Sequence, residues 1–460
     1  MRPVSLLAAI TLMSGPLLAQ APDQKPFTDT LSWGRPQYPS TYARRAFQPV
    51  LIRNASVFTG AGPERRNTSV LFQDGRIAAV GADLTAPPGA LVIDGTGKWV
   101  TPGLIDTHSH IGVYAAPGTS AESDGNEMTN PVTAEVWAEH SIWPQDPQIP
   151  LALAGGVTVA QILPGSANLI GGRSVTIRMV PARTVQELKF PGAPYGVKMA
   201  CGENPKRVYQ NRGPATRMGN MAGYRAAFIQ AEQYRLRWDK WLADRKGEPP
   251  ARDLRMETLA GVLRGEISVQ NHCYRADEMA QMLDLAREFN FRIRSFHHGI
   301  EAYKIADLLA AAGTAASIWS DWGGFKMEAF DNINENLALV TQAGARAILH
   351  TDSPDGIQRM NQDMAKAYYA GVRAGIELSR EDAIKWVTAN PAWALGIDQW
   401  TGTLEPGKLA DVVVWSGDPF SVYSKAEKVF SEGWLAFDRA DPARFRTDFN
   451  LGQTAPGVGR

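Results

Sequence analysis

Histidines are few in this 460-residue chain, 7 in all, and most of them close an apolar run. In LIDTHSH, Asp106, His108 and His110 fall on alternate positions, so on a strand all three point to one side. Ser268, Gln270 and His272 share a face in ISVQNHC, as do Arg346, Ile348, His350 and Asp352 in RAILHTDS. YGVKMAC places Lys198 on the face opposite Tyr195, Val197 and Met199. His297 and His298 end another run side by side, and adjacent strand residues face opposite ways, so one of them alone is expected to reach the same place as the others. Imidazole nitrogen and carboxylate oxygen are the natural ligands of zinc and similar divalent ions. An ion so held lowers the pKa of bound water towards neutrality and polarises a carbonyl, and an acid such as Asp352 can carry the proton from that water to a leaving nitrogen.

For these residues to meet, their runs must be neighbouring strands ending at one face. From residue 101 to about 400 apolar strand runs alternate with helical stretches such as ADEMAQMLDLAREF and YKIADLLAAAG, the pattern of a parallel sheet with crossover helices. Seven strand runs and an eighth, less distinct, predict an α/β fold: a (β/α)8 TIM-like barrel, with functional residues at its carboxyl face. Before and after it the text changes to short strands with turns. Asp74-Gly75 between VLFQ and RIAAV signals a hairpin. Residues 47–100 and 401–460 are therefore expected to build one small β-sandwich from both termini, with 22–46 as an arm over the surface.

Taken together, PGLIDTHSH from Pro102, HCYRADE from His272, His298-Gly299, HTDSPDG from His350, TANPAWALG from Thr388 and GTLEPGKLADVVVW from Gly402 resemble the amidohydrolase superfamily, and within it the imidazolonepropionase-like branch of exported bacterial hydrolases. The resemblance implies that His108 and His110 bind the more buried metal, that His272 and His298 bind a second, and that Asp352 is both ligand and acid/base. It implies one or two divalent ions, zinc foremost. It further implies a carboxylated lysine bridging them, at the position of Lys198. Other members bridge with glutamate, and Glu203, past the strand, is the alternative. The implied reaction is hydrolysis of a carbon–nitrogen bond in a small amide, cyclic amide or dipeptide-like substrate. The alternatives are a sugar or amino-acid deacetylase, which Glu203 as ligand would favour, and a non-catalytic binding or assembly protein.

The remaining features set limits. A balance of 47 basic against 47 acidic side chains argues against a bulk electrostatic grip on nucleic acid or anionic lipid. Residues 1–21 read as a cleavable signal peptide, which predicts export, to a bacterial periplasm, and no later run is a membrane-span candidate. A homo-oligomer is compatible with all of this. Two cysteines cannot make a disulfide framework, and Cys201 and Cys273 read as small buried hydrophobes. The glycine-rich stretch from Pro164 to Arg173 is either a substrate loop or an ordinary hairpin. In the first case Asn168 and Arg173, with His350, are the candidate substrate contacts. Tyr224 to Lys246 reads as a helix capping the barrel, and His140 as a surface or loop residue.

Overall fold

A computed structural model describes residues 38–441; the expected signal peptide, the first part of the arm and the final 19 residues, 442–460, lie outside the described residues. Its strands are β1 (Val50–Val57), β2 (Arg65–Gln73), β3 (Arg76–Gly81), β4 (Leu91–Asp94), β5 (Trp99–Pro102), β6 (Leu104–Ser109), β7 (Val157–Ile162) and β8 (Ile170–Arg178). They continue as β9 (Gly196–Ala200), β10 (Ser268–Cys273), β11 (Ile293–His298), β12 (Ala315–Ile318), β13 (Ala347–Leu349), β14 (Val412–Trp415), β15 (Ala426–Ser431) and β16 (Trp434–Asp438).

The terminal strands make one sheet in the order β16-β15-β14-β5-β1-β2-β3, with β4 beside β1. Chain start and chain end meet where β14 runs antiparallel to β5, Val413 opposite Thr101. One face packs Ile52, Val57, Val70, Phe72, Val412 and Phe430 into a core of its own. The hairpin sits at Asp74-Gly75, both at positive φ of 52° and 71°, as a two-residue turn between right-twisted strands needs. Arg178 of β8 pins this sheet to the barrel: buried, it donates to Asp411 at 3.2 Å and Glu432 at 2.8 Å. Two carboxylates around one guanidinium are what a buried charge needs.

The second sheet is a nearly closed eight-stranded barrel, ordered β6 through β13. Every residue of these strands is buried, as a barrel filled inside and covered by helices outside requires. The less distinct eighth strand is β8, and it runs antiparallel to both β7 and β9. Pro164 to Leu169 is thus the turn of a β7–β8 hairpin, and Gly172 lies inside the strand. There φ is +110° and a Cβ would stand 2.4 Å from the Val136 carbonyl, so the glycine serves close packing.

The expected cap is the helix Arg217–Asp244, begun by the Thr216 side chain accepting from Gly219 and ended by Arg245 at φ 51°. It buries Tyr224, Phe228, Ala231 and Tyr234, with Phe228 stacked on Phe291 at 4.5 Å. Among the described residues no helix is long and apolar enough to cross a membrane.

The cysteine expectation is corrected. Cys201 and Cys273 form a disulfide, with Cα atoms 5.3 Å apart. The β9–β10 register pairs Ala200 with His272, so the next residue of each strand is also a pair. Parity turns both sulfurs away from the side on which His272 points.

Candidate metal centre

The functional residues gather where the barrel sheet fails to close. β6 and β13 are its free ends, and the seam is bridged past the strand termini. The Asp352 amide donates to the His108 carbonyl at 3.1 Å, and Thr351 Oγ1 donates to Asp106 at 2.5 Å. That junction brings His108, His110 and Asp352 together, with ligand-capable atoms all within 4.8 Å of one another. Lys198 Nζ is 3.2 Å from His108 Nε2. His272 and His298 follow on the same side, their rings 4.4 Å apart and the His298 ring 4.7 Å from that of His108.

The expectation that one histidine alone of the 297–298 pair reaches this cluster is overturned. His297 points inward by strand parity, and His298, at φ +74°, leaves the extended backbone and swings its ring to the same side. A non-glycine residue in the left-handed region carries a backbone cost and marks a site held by its surroundings. Asp352, at φ 51°, is turned in the same way. Arg294, which faces away from His297, lies over Trp393 at 3.3 Å and donates to its carbonyl, while Arg292 is exposed.

The hydrogen bonds fix which nitrogens carry protons. Gln270 donates its amide to Ala394 and Ser268, so its Oε1 accepts from His297 Nε2 at 2.8 Å. His297 Nδ1 is then an acceptor and takes the proton of His108 Nδ1 at 2.8 Å. The His108 Nε2 lone pair is thereby aimed into the cluster. His110 donates Nδ1–H to the Leu163 carbonyl at 2.8 Å, which leaves an Nε2 lone pair 3.2 Å from Asp352 Oδ1. Two facing acceptors call for a cation between them. The buried Nδ1 atoms of His272 and His298 have no hydrogen-bond partner among the described residues. The donor set of His108, His110 and Asp352 therefore fits a divalent ion.

Electrostatics favours the same state. Burial holds His108, His272, His297 and His298 far below the usual imidazole range and takes His350 down to about 3, so the rings are neutral lone-pair donors. Burial also brings the Lys198 ammonium down to about 7, where a neutral amine is accessible. Asp106 is pushed up to about 7 by burial, against the pull of its bonds from Thr351 and the His108 amide. For Asp352 burial acts upward, but the cation between it and His110, a proton where no metal is bound, and the charge of Lys198 outweigh it and keep the carboxyl below its usual range.

Other predicted residues are placed elsewhere. Glu203 begins the helix Glu203–Tyr209 and pairs with Lys326 at 3.3 Å, outside the cluster. Asn168 is buried and spends its amide on the Glu127 and Asn130 carbonyls, Thr133 and Tyr209. Arg173, equally buried, donates to Thr258 at 2.8 Å and stacks on Trp137. Both lock the first and third strands' loops instead of facing the barrel mouth. His350 is buried at the cluster's edge and accepts from the His298 amide at 3.1 Å. His140 is half-exposed in a short turn against Trp137 and Tyr38. Sequence reasoning passed over Trp319, whose ring stacks on His298 at 4.3 Å. The aromatic run Trp319, Trp322, Phe325 directly after a strand end was the available signal.

Comparison with known proteins bears on the family and the fold. Residues 301–435 match the amidohydrolase family. A crystal structure of an amidohydrolase from Thermotoga maritima superposes with a TM-score of 0.78 at 38% identity, covering 85% of this chain and 100% of that one. Amidohydrolase tasK of Hapsidospora irregularis is 33% identical over 432 residues, 85% of this chain; the chain spans 43% of that protein's length. An imidazolonepropionase of Mesorhizobium japonicum is 24% identical, covering 80% of this chain and 89% of its own. Barrel, terminal sheet and these relatives converge: the chain belongs to the amidohydrolase family of carbon–nitrogen hydrolases.

Proposed function

We propose that the protein is an exported, divalent-metal-dependent hydrolase that cleaves the carbon–nitrogen bond of a small amide, cyclic amide or dipeptide-like substrate. The observation that carries this is the pair of acceptors His110 Nε2 and Asp352 Oδ1 facing each other at 3.2 Å beside the lone pair of His108. His108, His110 and Asp352 would hold one ion, and His272 with His298 a second, with Lys198 between them as the bridging group once carboxylated. Such an ion supplies a water of lowered pKa and polarises the scissile carbonyl.

The chain's own groups do the rest. Asp352 is held below the usual carboxylate range, so it can take the proton that water gives up and deliver it to the departing nitrogen. His297 and Gln270 keep His108 in one tautomer while this happens. The Trp319 indole donates to the Thr351 carbonyl at 3.0 Å, next to Asp352, and covers His298 against water. The Cys201–Cys273 disulfide suits an oxidising compartment and supports the reading of residues 1–21 as an export signal to the periplasm.

The test is a panel of amides, cyclic amides and dipeptides assayed with chelated protein before and after zinc or manganese is returned. Turnover that disappears with chelation and comes back with metal supports the reading. A folded, metal-loaded protein that cleaves none of them argues for the binding-protein alternative.

A further inference from the structure

The cluster is bordered on one side by aromatic rings that the hydrolytic chemistry does not use. His298 has Trp319 at 4.3 Å and Tyr274 at 5.4 Å, and these two rings lie 6.1 Å from one another. Outward from Trp319, Trp322 follows at 5.0 Å and Phe325 at 5.9 Å. Exposure rises along this line, from 5% at Trp319 to 46% at Trp322 and 50% at Phe325, so the surface runs continuously from the ligand ring to solvent. It is carried on the segment after β12, which ties itself down. Gly324 donates to the Ala329 carbonyl at 2.7 Å, buried Glu328 accepts from the Glu203 amide at 3.0 Å, and Lys326 donates to Asn204 at 3.0 Å. A long irregular segment at the carboxyl face, fixed before any ligand arrives, is where a barrel reads its substrate.

We infer that Tyr274, Trp319, Trp322 and Phe325 form the specificity wall of the site, and that the substrate carries an uncharged aromatic or bulky apolar group next to the scissile amide. This rests on the hydrolase reading for what happens at the metal, and adds what is recognised. Lys326 lies over the Tyr274 face at 4.1 Å and is answered by Glu203, so the wall offers no net charge to a substrate carboxylate. Nor is it a cation cage. Trp319 meets Phe325 at 77°, and the Tyr274 face is already covered by the Lys326 ammonium.

The test separates recognition from chemistry. Calorimetric titration of the full chain bearing Asp352→Asn, whose turnover is expected to be slowed by orders of magnitude, compares N-acetylphenylalaninamide with N-acetylalaninamide. The phenyl ligand is expected to bind about tenfold or more tightly, as burial of one ring implies. Trp322→Ala and Phe325→Ala each reduce that ratio severalfold, and Trp322→Phe restores part of it. Both side chains are half-exposed, so the fold does not depend on them. Equal affinities, a ratio that survives both alanine variants, or tighter binding of tetramethylammonium than of the phenyl ligand would each overturn the inference. So would a dimer in solution that these substitutions dissociate, because the wall would then be an interface. If the preference holds while the unsubstituted enzyme cleaves no amide, the hydrolase reading fails and the wall stands.

Discussion

His297 reaches across the barrel from β11 to place its Nδ1 2.8 Å from Nδ1 of His108 on β6. The proton order set by Gln270 makes His108 the donor, so a buried side chain that is itself no ligand fixes the ligand atom of another. His297→Ala should weaken metal binding by roughly 10- to 100-fold, the usual range for partners of this kind. Chelator competition measures it. His297→Asn, which can still accept from His108, should recover part of the loss.

Asp352 combines a seam hydrogen bond through its backbone with a side chain placed to bind metal and to carry the proton. Asp352→Asn keeps the first and removes the second. Turnover is expected to drop by about 10² to 10⁴, with a melting temperature close to that of the parent. Steady-state kinetics beside calorimetry distinguishes this from simple unfolding.

Lys198 is brought down to about 7 by burial, so its neutral amine predominates above that pH and its ammonium below. Carboxylation needs the neutral amine. Metal content of protein dialysed against a fixed zinc concentration should therefore fall as pH drops through about 7, and rise with added bicarbonate above it. Lys198→Arg, charged at every accessible pH, should show neither response.

Glu381, 6% exposed on the helix Arg380–Trp386, is pushed by burial from 4.5 up to about 7, although the Gly62 and Gly60 amides pull it back. A carboxyl whose folded pKa is raised favours folding below its unfolded pKa, and that advantage is lost as pH climbs from about 4.5 to about 7. Glu381→Gln should stabilise the protein at pH 8 by on the order of 1 kcal/mol, and the gain should vanish near pH 4. Urea unfolding at the two pH values reads it directly.

The Cys201–Cys273 disulfide closes a loop spanning 72 residues that includes Glu203 and the cap helix. Reduction should cost about 2–4 kcal/mol and lower the melting temperature. A Cys201→Ala, Cys273→Ala variant should start at the lowered value and ignore reductant.

Much of this site was legible because strand parity is a strict rule over short distances. Asp106, His108 and His110 share a side, and Lys198 faces inward with them; Asp352, past the end of β13, reaches the cluster through its left-handed backbone. Parity failed where the backbone left the extended region: nothing in the text FHHG marks His298 as left-handed, so the sharing of one side by His297 and His298 was invisible. The direction of β8 was equally hidden, since a strand's apolar pattern reads the same in either sense; of the two readings of Pro164 to Arg173, the hairpin is the one the fold shows. Asn168 and Arg173 looked available because turn chemistry says nothing of what a side chain will meet. The cysteines were misjudged because their pairing depends on the β9–β10 register, a relation between segments 72 residues apart.

The arrangement at the barrel seam is most directly examined by an anomalous-difference map recorded above the zinc absorption edge on crystals grown with zinc and bicarbonate. A peak among His108 Nε2, His110 Nε2 and Asp352, with Lys198 adjoining it and any second peak at His272 and His298, is the outcome to expect. Metal bound through Glu203 without Lys198, or zinc-saturated crystals showing no peak at this cluster, would contradict it.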